Sequence, residues 1–144
     1  MIRNKYLFYI LSFTWGIAMS IIGCMAAVGL IIIGCKPKMF GYCWHFEFGD
    51  CWGGLSLGPV IITSKNSSQQ TKEHEHGHSL QSCKLGPFMI IISLMSVCRY
   101  WYRELKYHRN GLTPPTEYDD AWYEGNASKI GTDFINWYKT IQND

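Results

Sequence analysis

Ser68-Gln69-Gln70-Thr71-Lys72-Glu73-His74-Glu75-His76-Gly77-His78, with Gly86-Pro87 a short way beyond it, is the stretch from which the rest of the chain is read. Ser67 or Ser68 supplies an N-cap, the residues after it tolerate helix, and Gly86-Pro87 ends it, so a helix is expected over 69–84. His74-Glu75-His76-Gly77-His78 fits the pattern H-E-x-x-H. On a helix, residues four apart share a face one turn apart, so His74 and His78 are expected to reach a single Zn²⁺ at about 2.0–2.1 Å. Glu75 would then lie beside the open position of that metal, placed to take a proton from bound water as a general base.

The chain has 144 residues and a net charge of +2. Its pI is near 8.2 and its mean hydropathy near zero. That is room for one small domain and no separate regulatory or binding module, and the charge is too mild to point to nucleic acid. The apolar residues are unevenly placed. Leu7 to Gly34 carries no charge, between Arg3 and Lys5 on one side and Lys36 and Lys38 on the other. Such a run exceeds the roughly 20 residues a bilayer crossing needs and outlasts a signal-peptide core, so residues 1–35 are expected to form a transmembrane anchor, with the lipid bilayer as partner. Ile21-Ile22-Gly23-Cys24 and Ile32-Ile33-Gly34-Cys35 each resemble a bacterial lipobox, which makes lipidation at Cys24 or Cys35 a second route to the same membrane. Of the six cysteines none forms a C-x-x-C pair, and free thiols are expected, with Cys43–Cys51 as the bridge an oxidising compartment would allow.

Residues 36–144 would hold the working domain. From Met39 to Thr63 the chain is aromatic and β-prone, and Gly49-Asp50 between the runs suggests a β-hairpin over 39–63 leading into the metal helix. Pro59, lacking a donor, suits an edge strand, so the hairpin is expected either to offer an edge to an extended substrate or simply to pack under the helix.

A catalytic zinc needs a third ligand. Thr116 and Asp119 resemble a capping box, and helix is expected over 117–141. Within it Glu124 is flanked at helical spacing by Ala121, Gly125, Ala127, Ser128 and Gly131. Such small residues let another helix come close, as a ligand reaching across to His74 and His78 requires. Asp119 and Asp120 are better explained as first-turn charges on the helix dipole.

H-E-x-x-H followed downstream by a helical Glu resembles the gluzincin arrangement of zinc metallopeptidases. More closely, His74 to Pro87 and Arg99 to Gly131 look like small bacterial membrane proteins with H-E-x-G-H-x-x-Q-S, then Gly-Pro, then E-x-x-A-[DST]-x-x-G. The resemblance covers about the last half of the chain. It implies a mainly α fold with a small β-hairpin (α+β), a minimal zincin-like helical site, His74, His78 and Glu124 as Zn²⁺ ligands, and Glu75 as base. Ser128 occupies the place where many gluzincins carry a carboxylate supporting a zinc-bound His. His76, Tyr118, Tyr123 and Arg103 are the candidates for an oxyanion donor.

Leu85 to Cys98 is uncharged, but as helix it spans only about 21 Å. Were it to cross a bilayer, His74 and Glu124 would lie on opposite sides, so residues 85–98 are expected to be re-entrant, interfacial or core. Residues 99–109, rich in aromatic and basic side chains, read as an amphipathic helix at headgroup level. The expectation is a membrane-anchored zinc metallopeptidase acting on peptide bonds; the alternative is a non-enzymatic membrane protein, an immunity, regulatory or complex component whose metal only joins two helices.

Overall fold

Among residues 2–50, 52–115 and 120–143, which the computed structural model describes, the chain is mainly helical with one small mixed sheet, the α+β class expected. The apolar N-terminal run does not make one straight helix. It forms α1 (Lys5–Phe13) and α2 (Ile17–Ile32), bent by 97°. Local hydrogen bonds make the corner: Thr14 Oγ1 donates to the Ile10 carbonyl at 2.6 Å, Gly16 N–H to that of Leu11 at 2.8 Å, and Ser20 Oγ reaches back across it to Ser12 O at 2.6 Å. Trp15 Nε1 donates to Lys84 O at 3.3 Å, and the indole fills the space a Cβ on Gly86 would need.

Four strands follow: β1 (Lys38–Phe40), β2 (Cys43–Glu47), β3 (Gly54–Leu57) and β4 (Val60–Thr63), in the order β1-β2-β4-β3. The single hairpin expected over 39–63 is replaced by two. β1 with β2 and β3 with β4 are antiparallel pairs, joined by a parallel ladder running from Trp44↔Val60 to Glu47↔Thr63. β4, entirely buried, is internal, and β1 and β3 are the two edges. Pro59 is therefore not an edge-strand residue. It occupies the β3–β4 turn, where its missing N–H costs no ladder bond while its carbonyl accepts from Trp44 N–H at 2.9 Å.

Helix α3 (Gln69–Leu85) starts at Ser68, whose hydroxyl accepts from Thr71 N–H at 3.1 Å. It ends at Gly86, which has φ of 55°, a left-handed value that suits glycine. A short 3₁₀ turn over Gly86–Phe88 leads into α4 (Met89–Lys106), so the stretches expected as separate elements over 85–98 and 99–109 belong largely to one helix. Helix α5 (Trp122–Asn143) begins later than 117, with Glu124 and Gly125 N–H both bonded to the Ala121 carbonyl. The capping pair Thr116 and Asp119 lies outside the described residues, as does Cys51.

The expected boundary between an anchor at 1–35 and a domain at 36–144 is not a boundary in the core. Phe8 packs with Tyr42, Cys43, Ile61, Leu80, Cys83 and Phe134. Ala27 and Leu30 of α2 cover Phe46, Val60 and Ile62, and Met19 meets Met89, Ile92 and Tyr123. Cleavage ahead of Cys24 or Cys35 would remove Phe8 and Met19 from these clusters, so the fold depends on the N-terminal segment that lipidation would discard. Cys43 is a buried free thiol, pushed up to about 12 by burial. By length and composition the helical run Gln69–Asn110 is apolar enough to cross a membrane, and α1 and α2 pass together as a bent pair.

Candidate metal centre

Helices α3 and α5 cross with a glycine of each pressed against the backbone of the other. A Cβ on Gly77 would stand 1.9 Å from the Ala127 carbonyl oxygen, and one on Gly131 would stand 1.8 Å from that of Glu73. Backbone meets backbone there, which brings the first turn of α5 over the middle of α3. Glu124 lies in that first turn, at the positive end of the helix dipole, and is fully buried.

The three expected ligands converge. His74 Nε2 and His78 Nε2 each lie 3.1 Å from Glu124 Oε2 and 3.1 Å from one another. Ligands at about 2.0–2.1 Å from a tetrahedral centre stand roughly 3.3 Å apart, so these three atoms are spaced to hold a metal ion. Although burial raises the Glu124 carboxyl, hydrogen bonds with His74, His78 and Ser96 outweigh it and hold that carboxyl well below the usual carboxylate range. It is thus present as an anion.

The remaining ring nitrogens are also occupied. His74 Nδ1 lies 2.8 Å from Ser128 Oγ, where the sequence places the supporting group. His78 Nδ1 lies 2.9 Å from Gln81 Oε1. The Gln81 amide cannot turn round, because its Nε2 donates to Tyr123 O at 2.8 Å and to Asn126 Oδ1 at 3.0 Å. Oε1 must then accept from His78 Nδ1–H, which fixes the ring with Nε2 toward Glu124, the nitrogen that would give up its proton to a metal. Ser96, from α4, donates to Glu124 Oε1. Gln81 and Ser96 are the residues that sequence reasoning missed. Gln81 could have been found as the residue one turn after His78; Ser96 sits in the uncharged segment, with no pattern to mark it.

Glu75 is nearly buried and faces β3. A Cβ on Gly54 would stand 2.5 Å from Glu75 Cγ and 2.6 Å from Oε1, so the edge strand passes directly over this carboxylate. Ser56 Oγ and Ser79 Oγ, 2.8 Å apart, tie β3 to α3 just beyond it. Glu75, His74, His78, Glu124 and Ser128 all line a cleft of about 680 Å³, walled by Trp52 to Ser56 on one side and by α4 on the other.

The other expected helpers lie elsewhere. His76 is on the opposite face of α3, stacked on Phe134 at 4.5 Å, with Nε2 accepting from Tyr42 N–H; it is a core residue because alternate positions on a helix face apart. Tyr123 packs its ring with Met19, Met89 and Ile92 and serves the site through its carbonyl. Arg103 does not line the cleft. Tyr118 lies outside the described residues.

The Gln81 network yields a test. Gln81→Ala is expected to weaken zinc binding by about 10–100-fold, as loss of a partner behind a ligand His does. Ser128→Ala should do likewise, more mildly, because a hydroxyl, able to donate or accept, fixes the ring of His74 less strictly than the Gln81 oxygen fixes His78. Competition with a chromogenic chelator measures both; wild-type affinity in Gln81→Ala would show that the network does not orient His78.

No family model, no curated protein and no solved structure matches this chain.

Proposed function

We propose that the protein is a membrane-embedded zinc metallopeptidase. The observation that carries this reading is the meeting of His74 Nε2, His78 Nε2 and Glu124 Oε2 at 3.1 Å on one wall of an open cleft, with Glu75 beside them. A metal that only joined two helices would need no cleft and no adjacent buried carboxylate. His74, His78 and Glu124 would hold the ion. When bound, zinc supplies Lewis-acid polarisation of a peptide carbonyl and makes water acidic enough to attack near neutral pH.

The chain's own residues do the rest. Glu75 accepts a proton as the water oxygen bonds to the carbonyl carbon, then passes it to the amide nitrogen as the C–N bond breaks, leaving a carboxylate and an amine. The β3 edge supplies the substrate's track. Gly53 O accepts from Ser64 N–H at 3.2 Å, so by antiparallel alternation Leu55 and Leu57 turn their peptide groups to β4 while Gly54 and Ser56 turn theirs outward. An extended peptide added there would run past Glu75 and the ligand trio.

Apolar outer surfaces on α1, α2 and α4 support the membrane setting. The gluzincin likeness supports the chemistry. Glu75→Gln is expected to keep zinc and lose peptide hydrolysis by roughly 10²–10⁴-fold. Equal hydrolysis by Glu75→Gln and wild type would leave the metal as a structural joint.

A further inference from the structure

Helix α4 changes character at one point. Before Arg99 its outward residues, like Phe88 just ahead of its first turn, are apolar and uncovered: Phe88 is 61% exposed, Ile91 56% and Leu94 61%. From Arg99 onward the outward residues are Tyr100, Trp101, Tyr102 and Leu105, interleaved with Arg99, Arg103 and Lys106. Aromatic and basic side chains collect at headgroup level, and uncovered aliphatic ones belong in hydrocarbon, so Arg99 marks the boundary. A water-facing monomer would not leave such a surface beside those of α1 and α2, where Ile10, Ile17, Ile21 and Met25 are exposed as well.

The cleft straddles that boundary. Its α4 wall consists of Met89, Ile92, Ser93, Ser96 and Val97 on the apolar side and Tyr100 and Trp101 on the belt side. Ser96, bonded to Glu124, precedes Arg99 by three residues, about 4.5 Å along the helix axis. The ligand trio is therefore within one helical turn of the headgroup level. Resting on the peptidase reading, we propose that the substrates are extended segments directly flanking a membrane-buried helix of another polypeptide, cleaved at the boundary of one leaflet.

The β3 edge selects this class. Gly54 and Ser56 can pair only with a chain whose own N–H and C=O groups are free, which a helix does not offer. Inside hydrocarbon a helix cannot unwind without stranding those groups, whereas at headgroup level water can receive them. The first residues beyond a buried helix are both extended and held at the depth of the cleft. Apolar side chains on such a segment have Ile92, Val97 and Trp101 to lie against.

Two measurements test this. With Cys24, Cys35 and Cys51 replaced by serine, a nitroxide on Cys98 is compared with one on Leu105→Cys, the latter with Cys98→Ser, in phosphatidylcholine–phosphatidylglycerol vesicles. The Cys98 label should relax more with oxygen than with a water-soluble nickel chelate, and the 105 label the reverse; equal nickel access at both would overturn the placement. The second arm uses a reporter with a randomised segment joined either directly to an apolar membrane helix or through a long Gly-Ser spacer. Direct attachment should raise cleavage by about tenfold or more, since it holds the segment at the cleft. Equal cleavage overturns the substrate class and leaves the peptidase reading standing. Absence of cleavage from both forms, with wild type matching Glu75→Gln, overturns both.

Discussion

Gly131→Ala is expected to lower stability and to loosen the metal site together. Helix propensity alone argues the other way, because alanine in a helix interior is favoured over glycine by about 1 kcal/mol. The contact decides the sign. The added Cβ would stand 1.8 Å from the Glu73 carbonyl oxygen and 2.7 Å from its carbon, and both belong to backbone inside a helix. No rotamer change relieves that clash, so α5 must move away from α3 by more than an ångström. Overpacking of cores costs about 1–3 kcal/mol where side chains can yield, and here they cannot, so the net loss should reach roughly 2 kcal/mol or more. The same movement draws Glu124 and Ser128 from His74 and His78, while metal ligands tolerate only about 0.2 Å. Gly77→Ala, facing the Ala127 carbonyl at 1.9 Å, should behave alike. Gly29→Ala on α2, with nothing within 4 Å of its Cβ position, is the control and should be neutral or slightly stabilising. Thermal unfolding followed with and without zinc reads both effects; a Gly131→Ala protein as stable and as tight for zinc as wild type would show that the helices can part without cost.

That crossing also explains how much of the site was legible in the sequence. His74, Glu75 and His78 are fixed by helical spacing, and Ser68 and Gly86 by capping chemistry, all of it local. Ser128 stands out only through the gluzincin resemblance, while Glu124 is legible because close approach needs small residues and Ala127 and Gly131 supply them. The pairing of β2 with β4 is not, since a parallel ladder joins residues whose only link is packing, and nothing in Cys43–Glu47 names its partner. The corner at Thr14–Gly16 stayed hidden for a related reason. A charge-free run reports polarity, not direction, and Trp15 finds its partner, Lys84, far along the chain. His76 shows the converse: a histidine within the motif is drawn into the core by Phe134 and Tyr42, because the pattern fixes which residues face the metal and says nothing of what lies behind them.

Glu124→Ala is expected to abolish stoichiometric zinc binding while leaving the fold in place. Loss of a partner behind a ligand already costs about 10–100-fold in affinity, so loss of the ligand itself should cost more than 100-fold. Glu124 is the one anion among three ligand atoms, fully buried and placed at the start of α5, where dipole and imidazoles favour its charge. Removing it leaves His74 and His78 with no carboxylate between them and Ser96 without the acceptor it now holds. His74→Ala should lose zinc too, yet the two variants part company in the absence of metal. His74 is the more exposed of the two and its bonds tie α3 to α5 alone, so its truncation costs less, whereas truncating Glu124 deletes hydrogen bonds from α3 and α4 at once. Zinc raises the stability of a folded protein that binds it by about 2.7 kcal/mol when present at a hundred times its dissociation constant. Wild type should therefore melt higher on zinc addition, and neither variant should respond. Retention of one zinc per chain in Glu124→Ala would remove α5 from the coordination sphere, and with it the reason for the close crossing at Gly77 and Gly131.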